Sequence, residues 1–302
     1  MAGLGVTGLR SPPDRYRVDK RTERANGVVD FETRVECRVW DELRATEIRA
    51  SASQFTDPGE RLRALRLAHR LEEQAENIRS LPHATAASRL YLRWQRIKIC
   101  GALWALVDQL EPHEFVAFTV AILDWSVRSD ELLQFDPDRI LNSFRTDLNR
   151  AGAANASGWL YAAIHGEFDP TTGRFQLHLH GIATRGMIKV VEALRSLGKH
   201  GKFESSRSKV GADAENYVAQ KLRIDRNLYD LPRPLTYTLK SFWLADSSYV
   251  NADGVRCRFG HKSRITGIHQ TRYLLWLDQH GLKELILLVH LRVTREGLTP
   301  TR

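Results

Sequence analysis

Cysteine and methionine are scarce in this 302-residue chain, with three and two respectively. Cys37, Cys100 and Cys257 are scattered and odd in number, which excludes a disulfide framework and a cysteine-based zinc site. A reducing cytoplasm is the compartment expected of such a chain. No stretch reaches the roughly 18 consecutive apolar residues of a membrane span. The segment Met1 to Val18 lacks the charged-then-apolar order of a secretory signal, and its Gly, Pro and Arg content predicts disorder. There is no Gly-x-x-x-x-Gly-Lys-[Ser/Thr] loop, so no recognisable helicase motor is carried. Internal repeats are absent as well.

What the chain has is positive charge. Lys+Arg total 45 against 36 Asp+Glu, for a formal charge of +9 and a pI near 9.6. Such an excess attracts polyanions and makes their binding salt-dependent. Two basic stretches stand out. One is Lys199 to Lys209, with Ser and Gly between its charges; the other holds Arg256, Arg258, His261, Lys262 and Arg264. Phe203, Trp243 and Tyr249 are candidates for base stacking.

The most informative segment is Phe175-Gln-Leu-His-Leu-His-Gly-Ile-Ala183. Alternation along a strand places His178 and His180 on one face and Phe175, Leu177 and Leu179 on the other. Two neighbouring imidazoles on a rigid strand form half of a divalent-metal site. A second strand-like run, Trp159 to Phe168, precedes it. Between them Asp169-Pro-Thr-Thr-Gly-Arg174 has turn chemistry, which predicts an antiparallel hairpin. A turn centred on Thr171 and Thr172 pairs Glu167 with Gln176, His165 with His178 and Ala163 with His180. Glu167 and His165 then share the metal-facing side, and either can complete the site.

These residues resemble the His-hydrophobic-His (HUH) endonucleases, a class that includes rolling-circle replication initiators, relaxases and related transposases. The order along the chain is similar to theirs. Glu114 to Leu123 reads as a first strand and Asp136 to Arg150 as a helix, followed by the hairpin and a helix from Arg185 to Leu197. Arg233-Pro-Leu-Thr-Tyr-Thr-Leu-Lys-Ser-Phe-Trp243 resembles the family's Tyr-x-x-Lys motif at Tyr237 and Lys240. Pro234 suits the start of a helix, where an anionic phenolate is favoured, and Lys240 falls on the same face. Tyr217, with Lys221 four residues on, is the rival nucleophile.

The resemblance implies a palm-like α+β domain, a central antiparallel sheet with helices on one side, over about 111–247. Segment 1–56 is then a partly disordered N-terminal portion, 57–110 a helical accessory region and 248–302 a C-terminal accessory region. It also implies a metal site of His178, His180 and Glu167 holding Mg²⁺ or Mn²⁺, with Tyr237 forming a 5′-phosphotyrosine. The expected partners are single-stranded or hairpin origin DNA and a host helicase and polymerase. The expected function is nicking of an origin to start rolling-circle replication. A transposase or relaxase of the same chemistry, a non-nicking DNA-binding protein and an unrelated metal-dependent hydrolase are the alternatives. In the accessory regions, Asp57 to about Ser80 and Ala87 to Leu110 read as a helical hairpin, and Ile268 to His280 and Leu282 to Leu291 as two further helices.

Overall fold

The computed structural model describes residues 32–76, 85–197, 221–225, 235, 239, 242–252, 256–295 and 297–301. Within them, four strands and two helices follow the order β-α-β-β-α-β. These are β1 (Phe115–Arg128), α4 (Asp138–Arg150), β2 (Leu160–Asp169), β3 (Arg174–Thr184), α5 (Gly186–Ala193) and β4 (Lys221–Asp225). The strands lie side by side as β4-β1-β3-β2, each antiparallel to its neighbour. This is the split β-α-β arrangement, which puts β3, the strand with the two predicted histidine ligands, in the interior.

The hairpin forms in the register expected from its turn: Glu167 opposes Gln176, His165 opposes His178 and Ala163 opposes His180. Burial of the opposite face holds that register. Leu177 and Leu179 are fully buried, each worth about 1.5–3 kcal/mol. A one-residue slip would turn both toward the histidine side and drive the imidazoles into the apolar core. Phe144 of α4 packs on Phe118 and Trp125 of β1 on this same apolar side.

The sheet does not stop at 247. β5 (Leu244–Val250) and β6 (Arg256–Arg264) extend it beyond β2, and β7 (Ile286–Val289) pairs with the first half of β2. β5 runs parallel to β2, so the sheet is mixed and the expectation of an all-antiparallel sheet is corrected. The apolar run Leu282 to Leu291 is corrected too. It makes a short 3-10 turn (Leu282–Leu285), then β7 and the start of β8 (Leu291–Val293), which pairs with β9 (Leu298–Pro300). A short apolar run fits a buried strand as well as a buried helix, and here the open edge of β2 takes it as a strand.

Helices surround the sheet. α1 (Arg34–Ser51) lies in the segment expected to be partly disordered; Thr33 and Glu36 form a capping box at its start. α2 (Pro58–Glu76) packs chiefly on α1 rather than forming a hairpin with α3 (Arg89–Val107). Asp41 of α1, fully buried, instead caps α3. Its carboxylate accepts from the backbone N–H of Arg89 (2.7 Å) and Leu90 (3.2 Å) and from the Ser88 hydroxyl (2.7 Å). Two unpaired N–H groups at a helix start are thereby satisfied by a negative charge.

α6 (Gly267–Gln279) closes the apolar side at the turn end of the hairpin. Tyr273 stacks on Trp243 with centroids 4.4 Å apart, and Trp276 donates its indole N–H to the Phe135 carbonyl at 2.8 Å. A Cβ on Gly166 would stand 2.5 Å from the Trp243 ring, so only glycine admits the indole there. Trp243 is therefore a core residue, 6 % exposed, and is corrected as a base-stacking candidate; Tyr249 is exposed. No helix among the described residues is long and apolar enough to cross a membrane.

Candidate metal centre

His178 and His180 project from β3, and His165 from the facing position on β2. One ligand atom from each of the three lies within 4.8 Å of the others. His165 meets His180 edge-on at 4.6 Å between centroids and lies 5.9 Å from His178. The Nε2 atoms of His178 and His180 are 3.1 Å apart. His165 and His178 are 2 % and 8 % exposed, so the imidazoles face one another in a largely dry site.

The other ring nitrogens are held from behind. Nδ1 of His178 is 3.3 Å from the Gln176 carbonyl. A carbonyl only accepts, so Nδ1 carries the proton and Nε2 presents its lone pair. Nδ1 of His180 is 2.8 Å from the Thr119 hydroxyl, supplied by β1 in the register Thr119 opposite His180. A hydroxyl can donate or accept. When it accepts from Nδ1–H, the Nε2 of His180 is also left as a lone pair. Both rings are then oriented as metal ligands are, through a hydrogen bond on the distal nitrogen.

The donor set fits a cation. Two nitrogens 3.1 Å apart and each about 2.1 Å from a shared ion subtend about 95°, close to the cis positions of an octahedron. Three neutral imidazoles favour zinc, nickel, cobalt or manganese over magnesium, which prefers oxygen.

Glu167, the expected carboxylate ligand, is on the same side of the sheet but outside this group. Its Oε1 accepts from Nζ of Lys262 on β6, which also lies 3.8 Å from the Asp246 carboxylate on β5. Tyr237, Lys240, the rival Tyr217, Phe203 and the basic segment 199–209 lie outside the described residues. The flanking Leu235 and Leu239 are buried, and the Leu235 carbonyl accepts from the Cys100 thiol of α3 at 3.3 Å. Thr119 and Lys262 escaped the sequence reading in their roles here. Each reaches the site only through strand pairings that no local motif reveals.

No protein-family model matches the chain, and comparisons with curated proteins and with solved structures found no match either.

Proposed function

We propose that this protein is a metal-dependent nickase of single-stranded DNA, acting through a tyrosine on a palm-like domain of HUH type. The observation that carries the reading is the cluster of three imidazoles, two of them on the His-hydrophobic-His strand at the interior of a split β-α-β sheet. His165, His178 and His180 would hold the ion. When bound, a divalent cation would supply Lewis acidity to a phosphate oxygen.

The remaining chemistry falls to the chain. The phenol oxygen of Tyr237 loses its proton and attacks phosphorus in line. A P–O bond to tyrosine forms, the P–O3′ bond breaks, and the departing 3′-oxygen takes up a proton. Lys240, three residues on from Tyr237 in the sequence, would favour the phenolate by its charge. Attack by a 3′-hydroxyl on the phosphotyrosine reverses the step and rejoins the strand. The +9 charge draws the polyanion. Nicking of an origin for rolling-circle replication, with unwinding by a host helicase, is the context we favour. Transposition or mobilisation would use the same step.

The test is a cleavage assay with Mn²⁺ and labelled oligonucleotides from DNA flanking the gene, read as a covalent adduct on a denaturing gel. An adduct formed by the wild type and Tyr217→Phe, but not by Tyr237→Phe or with chelator, is the expected result. Loss only in Tyr217→Phe moves the nucleophile. No adduct in any protein, with metal still bound, overturns nicking in favour of a DNA-binding protein that retains the site.

A further inference from the structure

We propose that Lys262 determines which ion the three-histidine site accepts, by withholding Glu167 from it. The inference rests on the metal-centre reading above and goes beyond it. Glu167 is two residues from His165 on the same strand face, and in the hairpin ladder it is diagonal to His178. Diagonal neighbours, about 7–8 Å apart, are within reach of a long side chain. A carboxylate so placed is a natural oxygen ligand.

Its path is blocked by charge. Lys262 opposes Asp246 in the β5–β6 pairing, and β5 is joined to β2 where Leu244 opposes Glu167. The ammonium thus arrives beside Glu167 from two strands away. It bonds to Glu167 Oε1 and stands 3.8 Å from Asp246 Oδ2. Asp246 is 5 % exposed at its side chain and Glu167 18 %, while Lys262 is 39 % exposed. The buried Asp246 anchors the lysine, and the lysine holds Glu167 away from the imidazoles. Among the described residues the donor set is then three imidazole nitrogens, which selects zinc, nickel or cobalt over manganese and magnesium. Removing the ammonium releases a hard, anionic oxygen donor to the same ion and shifts the balance toward manganese.

The experiment is calorimetric titration of the chelator-stripped full-length protein with Zn²⁺ and with Mn²⁺ separately. Wild type is expected to bind Zn²⁺ the more tightly. Lys262→Gln is expected to raise Mn²⁺ affinity about tenfold or more, the scale on which a conserved ligand partner acts, with Zn²⁺ changed far less. Adding Glu167→Gln to Lys262→Gln should abolish the gain. Glu167→Gln alone should leave both affinities as in wild type, a result that does not depend on how Lys262→Gln folds. An unchanged Mn²⁺ affinity in Lys262→Gln overturns the inference, as does a gain that survives the double change. So does a loss of affinity in Glu167→Gln alone, which would make that carboxylate a ligand already. Metal binding that persists undiminished in His178→Ala overturns the metal centre itself, and is thereby distinguished from failure of the Lys262 argument.

Discussion

Replacing Thr119 with valine tests the site at a residue that would never touch the ion. Valine is close to threonine in shape but has no hydroxyl, so His180 Nδ1 loses its partner at 2.8 Å. Loss of such a distal hydrogen bond lowers metal affinity about 10–100-fold, or about 1.4–2.7 kcal/mol. The apo protein should lose less, about 0.5–1.5 kcal/mol for one hydrogen bond. The two effects separate in a thermal or urea denaturation series with and without metal. At a metal concentration 1,000 times the wild-type Kd, binding adds about 4.1 kcal/mol, and a tenfold weaker variant gains only about 2.7 kcal/mol. Thr119→Ser keeps the hydroxyl and should restore the wild-type increment. Equal increments in wild type and Thr119→Val would refute the reasoning, because His180 would then need no support to act as a ligand.

Two more predictions follow from the packing around the hairpin. Gly181 sits beside His180, and a Cβ there would stand 2.4 Å from the Tyr161 carbonyl oxygen and 2.4 Å from the Phe118 ring. Gly181→Ala should cost about 1–3 kcal/mol in urea denaturation and weaken metal binding through the shifted strand; a stability equal to wild type would contradict the contact. His269 stacks on Phe168 and bonds to the Ser129 hydroxyl at 2.7 Å; burial first, and Arg272 second, hold its pKa below the usual 6.5. The folded state therefore resists protonation that the unfolded chain accepts. This stability is present above about pH 6.5 and is lost as the pH falls below it. His269→Gln should flatten that loss relative to wild type, and identical pH profiles would rule out the assignment.

Much of the site was legible because it is local. The turn Asp169 to Arg174, the alternation from Phe175 to His180 and the steric period of a strand together determine the hairpin register, and three imidazoles follow from it. The helices Asp138–Arg150 and Gly267–Gln279 also follow from periodicity and stop within two residues of where it ends. The failures have specific causes. α1 went unread although its capping box, Thr33 and Glu36, is local to the sequence. β7 is a strand only because β2 has an edge to fill. Thr119 comes to His180 through β1 and Lys262 to Glu167 through β5–β6, and such long-range pairings leave no mark in any short window of sequence.

The edge of β2 has a consequence for how the protein is made. β7, which covers the first half of that edge, is synthesised long after the hairpin it protects, and so are β5 and β6 at the other half. A ribosome adding about 5–20 residues per second leaves the histidine-bearing ladder with an open side for several seconds. The three histidines are thus translated before the strands that close the sheet beside them. Until those strands arrive, the edge of β2 presents unpaired backbone groups to any other strand, so the hairpin is open to mispairing during synthesis.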